Sequence, residues 1–76
     1  MFIRIVIKME REEFEEKVEE IKQTQDYFVV YVSTAVIYAE DYSIKTVHNH
    51  EKIYLYCCTY LIAEVYLEDV YVVDYS

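Results

Sequence analysis

The stretch from Ile53 to Leu67 alternates between two kinds of side chain, and this alternation constrains the fold more than any other feature. Side chains on a β-strand point in turn to opposite faces, so the pattern predicts a strand with an aliphatic face and a tyrosine-rich face. The aliphatic face comprises Ile53, Leu55, Cys57, Thr59, Leu61, Ala63, Val65 and Leu67. The other face comprises Tyr54, Tyr56, Cys58, Tyr60, Ile62, Glu64 and Tyr66.

One strand over this whole stretch would be unusually long. At ~3.3 Å per residue it would extend about 50 Å, whereas a typical strand has about five or six residues. Two explanations are open: a bulge near Cys57–Thr59 divides the stretch, or the strand projects from the domain and pairs with another chain. We take its length as the strongest sign of a second subunit.

Residues 10–22 change to the periodicity of a helix. Phe14, Val18 and Ile21 lie at i, i+4 and i+7, which is the narrow apolar stripe of a helix that packs on a sheet. Acidic residues dominate its first turns and Lys22 lies at its end, as the helix dipole favours. We expect the aliphatic face of residues 53–67 to lie under this stripe.

The other apolar stretches predict further strands, because they alternate or are apolar on both faces. The predicted strands are 2–9, 26–40 (with a break near Ser33–Thr34 as an alternative), 44–47, 53–67 and 70–75. Turns are expected over 40–43 and 48–51.

These elements predict a single α+β domain over residues 1–76. Its antiparallel-rich sheet has four to five strands, in the order β-α-β followed by a β-meander, with one amphipathic helix on one face. The alternative is a ferredoxin-like βαββαβ fold, in which residues 57–69 form a second helix. The alternation of the 53–67 stretch favours the first arrangement.

A homodimer follows from the size and the apolar content. A 76-residue chain buries only about 60% of the surface that it exposes when unfolded, and 55% of its residues are hydrophobic. One helix about 10 Å wide covers roughly two strands spaced ~4.8 Å apart. A larger sheet would keep an open apolar surface, and a second copy of the chain would cover it.

The chain contains no glycine and no proline. Phosphate-binding loops, dinucleotide-binding turns and nucleophile elbows all need glycine where the backbone turns sharply, so these sites are excluded. Backbone positions with positive φ are expected at Asn49, Asp41, Asp69 or Asp26, since Asn and Asp tolerate that region best after glycine. We find no catalytic constellation and predict no enzyme, no cofactor and no metal.

The net charge of −8 argues against direct binding to nucleic acid, which needs clustered Lys and Arg. It is compatible with a basic protein partner. The densest acidic surface is the exposed side of the helix, formed by Glu12, Glu13, Glu16, Glu19 and Glu20. It is either a solvated face or a mimic of nucleic-acid phosphates on an inhibitor of a nucleic-acid-processing complex.

Ten tyrosines are a large share of the chain, and tyrosine is enriched at protein interfaces. Four of them lie in one row of the 53–67 stretch and form our candidate interface: Tyr54, Tyr56, Tyr60 and Tyr66. The first functional hypothesis is therefore a non-enzymatic interaction module that dimerises through a tyrosine-rich sheet face or edge. The acidic inhibitor is the second.

Two short motifs could carry metal or redox chemistry. His48 and His50 would share one side of a strand, and with Cys58 they define a third and weaker hypothesis. A turn centred on residues 49–50 would put Cys57 roughly 20 Å away, so we interpret the histidines as a solvated hairpin tip. Neighbouring strand residues face opposite ways, so Cys57 and Cys58 are interpreted as buried, inert thiols.

The mixture of many Tyr, Ile and Val residues with one Glu-rich helix in a short β-rich chain resembles the small orphan proteins of viruses that infect hyperthermophilic archaea. The resemblance is one of composition and transfers no functional residue. No signal-peptide pattern or membrane-length apolar run is present, since the longest nearly uncharged run covers only residues 27–39. We expect an intracellular, cytoplasmic protein, in the host cell if viral, with no membrane partner.

Overall fold

A computed structural model describes residues 9–76, and the strand predicted over residues 2–9 lies outside them except for its last residue. The described part contains one α-helix and six strands, which confirms an α+β fold. The elements are α1 (Arg11–Lys22), β1 (Phe28–Val32), β2 (Ala35–Ala39), β3 (Asp41–Val47), β4 (His50–Cys57), β5 (Tyr60–Tyr66), a 3-10 turn (Leu67–Asp69) and β6 (Val70–Tyr75). Within residues 9–76, no helix combines the length and the apolar character needed to cross a membrane.

The strands form two sheets, so the prediction of one sheet with four to five strands is wrong. In the described residues one sheet has the order β2-β1-β6 and the other the order β3-β4-β5, and neighbouring strands in both run antiparallel. The chain passes from one sheet to the other at Glu40, the single residue between β2 and β3. The turn predicted over residues 40–43 is wrong for the same reason, since β3 already begins at Asp41.

The long 53–67 stretch is a hairpin, which removes its length as a sign of a second subunit. β4 ends at Cys57, β5 begins at Tyr60, and the chain reverses over Cys58 and Thr59. The second helix of the ferredoxin-like alternative is wrong too, because residues 60–66 are strand. The break near Ser33–Thr34 is confirmed as the turn between β1 and β2.

Four non-glycine residues take positive φ angles in two of these turns. His48 (50°) and Asn49 (66°) join β3 to β4, and Cys58 (55°) and Thr59 (69°) join β4 to β5. Such angles at both central positions are typical of two-residue hairpin turns, because their twist matches that of the strands. Only Asn49 was among the predicted positions; Asp26, Asp41 and Asp69 are not in this conformation.

A bulge in β5 changes which face its first residues occupy. Leu55 pairs with Ala63, but the next residue of β4, Tyr56, pairs with Leu61, so Ile62 is the extra residue. Side chains paired across two strands share a face. Leu61 therefore lies on the side of Tyr56, away from the core, and is 49% exposed.

The core lies between the helix and the inner faces of both sheets. Phe14, Val18 and Ile21 are fully buried, as predicted, in one cluster with Ile53 and Leu55. The rest of this cluster is Phe28, Val30, Ala39, Leu67, Val70 and Val73. Ile53 and Leu55 join the helical stripe in this cluster, but the helix packs mainly on β6 and β1, so the expectation that the aliphatic face of residues 53–67 lies under the stripe is confirmed only in part.

Replacement of Thr59 by glycine should stabilise the protein. A left-handed conformation costs a non-glycine residue about 1–2 kcal/mol, and glycine removes most of that cost. We expect Thr59→Gly to raise the free energy of unfolding by about 1 kcal/mol in urea denaturation followed by circular dichroism. Thr34→Gly is the matched control, because Thr34 is an exposed turn residue without positive φ. Equal effects of both substitutions would contradict the role of strain at Thr59.

Candidate functional site

The two cysteines lie together at the tip of the β4–β5 hairpin, which corrects the prediction that they face opposite ways. Cys57 is the last residue of β4, but Cys58 has left the strand conformation, so strand alternation no longer applies to it. The two Sγ atoms are 4.0 Å apart. Neither thiol is buried as predicted: Cys57 is half-buried and Cys58 is exposed.

Glu40 completes this cluster of side chains, which we call the thiol–carboxylate cluster (Glu40, Cys57 and Cys58). Both thiols donate to the Oε1 atom of Glu40 at 3.3 Å, and the backbone N–H of Cys58 donates to the same atom at 3.3 Å. Glu40 follows β2, and its own N–H donates to the carbonyl of Tyr56 at 2.8 Å. Three donors thus converge on one carboxylate oxygen.

Sequence reasoning missed Glu40, although the hairpin register would have found it. The turn at His48–Asn49 pairs β3 with β4 up to Asp41 and Tyr56. Glu40 and Cys57 are the next residues outward on each side, so they are neighbours in space despite a sequence separation of 17. The signal depends on knowing that the turn lies at residues 48–49 rather than 49–50.

The hydrogen bonds of the cluster set its protonation. Donation by the two thiols lowers the pKa of Glu40, which therefore remains a carboxylate. The same bond to Glu40, with partial desolvation, raises the pKa of Cys57 to about 11. The negative charge of Glu40 also raises the pKa of Tyr27. The Cys57 thiol is thus protonated at neutral pH and is a poor nucleophile.

An open cleft of about 530 Å³ borders the cluster. Its lining includes Glu40 and Cys58 together with Ser43 and Tyr56. The Ser43 hydroxyl and the Tyr56 phenol are 3.2 Å apart. The exposed side of the cluster is therefore accessible to small solutes.

Three of the four predicted interface tyrosines share the outer face of the β3-β4-β5 sheet. Tyr54 lies opposite Glu64, Tyr56 opposite Leu61, and Tyr66 opposite Lys52. Tyr60 does not join this row, because the bulge pairs it with Cys57 and turns it to the other side, where it is 75% exposed.

Lysine side chains lie over this tyrosine row. The Lys52 Nζ atom is 5.6 Å from the ring centre of Tyr54 and 5.7 Å from that of Tyr66, and Lys45 also lies over Tyr54. Lys52 forms an ion pair with Glu64 at 2.9 Å. The row is therefore partly covered by the chain's own cations, which makes it a poorer apolar contact surface than the sequence suggested.

The histidines do not assemble with the cysteines. His50 Nδ1 lies 3.0 Å from a carboxylate oxygen of Glu68, and its ring packs edge-on against Tyr66. His48 is exposed in the turn. Among the described residues, the cluster of potential metal ligands is Glu40 with Cys57 and Cys58, so His48, His50 and Cys58 form no common site.

The acidic side of α1 is exposed as predicted. The side chains of Glu12, Glu13, Glu16, Glu19 and Glu20 all lie on the surface. Glu20 contacts Lys17 at 3.9 Å and accepts a hydrogen bond from the Tyr75 hydroxyl at 3.2 Å. In residues 9–76 the other four make no ion pair.

A second apolar surface was not singled out by the sequence. It is the outer face of the β2-β1-β6 sheet, where the register aligns Val36, Tyr31 and Val72 in one row and Tyr38, Val29 and Asp74 in the next. We call these six residues the outer patch. Tyr31, Val36, Tyr38 and Val72 are 38%, 50%, 59% and 46% exposed, whereas Val29 lies on this face by strand alternation but is only 2% exposed. Asp74 is the one charged member of the patch.

Comparison of the chain with protein-family models, with curated proteins and with solved structures gives no match.

The two thiols should differ in reactivity. Cys58 is exposed, whereas Cys57 is half-buried and held protonated by Glu40. In single-thiol variants at neutral pH, we expect iodoacetamide to modify Cys58 (in Cys57→Ser) faster than Cys57 (in Cys58→Ser), as followed by mass spectrometry. Adding Glu40→Gln to Cys58→Ser should accelerate labelling of Cys57, because the pKa falls when the carboxylate is lost. Glu12→Gln is the control, and an equal acceleration there would refute the role of Glu40.

Proposed function

We propose that this protein is a non-enzymatic interaction module that forms a homodimer through a sheet face. The outer patch is the surface that best suits this role, rather than the tyrosine row named from the sequence. Its exposed apolar side chains come from three strands: Tyr31 from β1, Val36 and Tyr38 from β2, and Val72 from β6. The helix packs on the opposite, inner side of the same sheet. Apolar faces of this kind mark contact sites on soluble proteins.

The charge distribution supports a second copy as the occupant. The chain carries a net charge of −8, so most surfaces of two copies repel each other. Five of the six residues in the outer patch are uncharged, and two copies can meet there with few apposed acids. In a two-fold symmetric contact the same patch serves on both subunits.

Charged substitutions in the outer patch should dissociate the dimer. We expect light scattering at micromolar concentration to give twice the 9.3 kDa mass of the chain for the wild type. The double variant Val36→Glu/Tyr38→Glu should give the monomer mass, because it places four carboxylates in a symmetric apolar contact. Circular dichroism should show that both proteins remain folded, since Val36 and Tyr38 are exposed.

Leu61→Glu is the matched control, because Leu61 is equally exposed but lies on the tyrosine row side of the other sheet. It should leave the dimer intact. Dissociation by Leu61→Glu but not by the double variant would assign the contact to the tyrosine row. A monomeric wild type would reject the dimer altogether.

The second candidate is an acidic inhibitor that engages a basic protein site through α1. The observation that favours it is the exposed set of five glutamates on one helix, four of them without an ion pair in the described residues. Their partner would present clustered Lys or Arg, as nucleic-acid-binding sites do.

Calorimetric titration with an oligolysine peptide tests whether the helix is a localised acidic site. We expect Glu16→Gln/Glu19→Gln to weaken binding more than Glu64→Gln/Glu68→Gln, which changes the net charge equally on other elements. Binding should also fall steeply with salt, because exposed charges are screened beyond about 10 Å at 0.1 M ionic strength. Equal losses in both double variants would show that only the net charge matters and would reject the inhibitor.

A further inference from the structure

We propose that the thiol–carboxylate cluster is a binding site for a thiophilic divalent cation, with Zn²⁺ as the reference ion. The ligands are the Sγ atoms of Cys57 and Cys58 and the Oε1 atom of Glu40. This site is independent of the dimer proposed above, since none of the three residues belongs to the outer patch.

The distances between the three ligand atoms match a zinc site. Tetrahedral coordination with Zn–S bonds of about 2.3 Å and Zn–O bonds of about 2.1 Å separates two sulfurs by about 3.8 Å and a sulfur from an oxygen by about 3.6 Å. In the structure, the two Sγ atoms are 4.0 Å apart, and each lies 3.3 Å from Oε1. One ion can therefore reach all three atoms with only small movements of the side chains.

The backbone preorganises this triangle. The left-handed conformation of Cys58 brings its side chain to the side of Cys57, and the β3–β4 register brings Glu40 to both. The N–H of Cys58 further orients Oε1 at 3.3 Å. Backbone pairing fixes the positions of all three ligands, Cys57 and Cys58 at the β4–β5 turn and Glu40 at the β2–β3 junction. Little ordering of the chain is therefore needed on binding.

The donor set determines the class of ion. Two thiolates select Zn²⁺ or similarly soft cations over Mg²⁺ and Ca²⁺, which prefer oxygen ligands. Binding replaces the two S–H protons by the ion, and both protons pass to the solvent. Two thiolates and a carboxylate carry three negative charges, so the site with a divalent ion bound has a net charge of −1. Cys58 is exposed beside the open cleft, which leaves the fourth position to water or a small solute.

Calorimetry with zinc chloride under a non-thiol reductant tests the site in the full chain. We expect one ion per chain with micromolar or tighter affinity, and no heat with magnesium chloride. Loss of an outer-shell partner of a metal ligand weakens metal binding roughly 10- to 100-fold. Cys57→Ser and Cys58→Ser each remove a direct ligand, so each should weaken zinc binding by at least that factor. Glu40→Gln should weaken it as well, and circular dichroism should show that all three variants remain folded.

His50→Ala is the matched control, because the imidazole of His50 could bind zinc by its chemistry but pairs with Glu68 instead. It should leave zinc affinity unchanged. Cobalt chloride supplies a second readout, since a thiolate-to-cobalt charge-transfer band in the near ultraviolet should appear in the wild type and disappear in Cys57→Ser/Cys58→Ser. The proposal would be overturned by the absence of zinc binding, by zinc binding that neither cysteine substitution weakens, or by one ion shared between two chains.

Discussion

The register of the β3–β4 hairpin is the constraint on which both the core and the thiol–carboxylate cluster depend. The two-residue turn at His48–Asn49 fixes seven pairs, from Val47 with His50 to Asp41 with Tyr56. A slip by one residue would turn Ile53 and Leu55 out of the core, since strand side chains alternate. It would also separate Glu40 from Cys57, so the same pairing that buries the core assembles the cluster.

The absence of glycine shapes the second hairpin in a different way. The turn between β4 and β5 places Cys58 and Thr59 in a left-handed conformation, which glycine would adopt at no steric cost. Burial of the preceding strand offsets this strain, because Ile53 and Leu55 are fully buried in β4. Strained backbone is often associated with sites that orient side chains for binding. Here the strained residue Cys58 is itself a member of the cluster.

The sequence predicted those features that depend on local periodicity. The helix with its Phe14, Val18 and Ile21 stripe and the core face of β4 are confirmed, because patterns of 3.6 and 2 residues report directly which side is buried. The turn at Cys58–Thr59 was not predicted as a reversal, because neither residue is typical of turns and the alternation continues across it. The bulge at Ile62, which turns Leu61 and Tyr60 to unexpected faces, has no local sequence signal either.

Features that depend on pairing between distant residues could not be predicted from local periodicity. The division into two sheets occurs at Glu40, where the sequence predicts a turn over residues 40–43 but carries no sign that the chain changes sheet there. The outer patch and the thiol–carboxylate cluster both arise from register, in one case across three strands and in the other across a hairpin. Composition could suggest that an apolar surface exists, but only the pairing of strands shows which residues form it.

The placement of charge explains how these surfaces can coexist on so small a domain. The glutamates of α1 lie on its exposed side, and the helix packs against the inner face of the β2-β1-β6 sheet. The outer patch lies on the opposite face of that sheet. A second copy on the outer patch would therefore keep both acidic helices on the outside of the dimer, with the thickness of two sheets between them. Because exposed charges are screened beyond about 10 Å at 0.1 M ionic strength, the doubled charge would oppose association only weakly. The acidic helix would thus not prevent the sheet from forming the proposed contact.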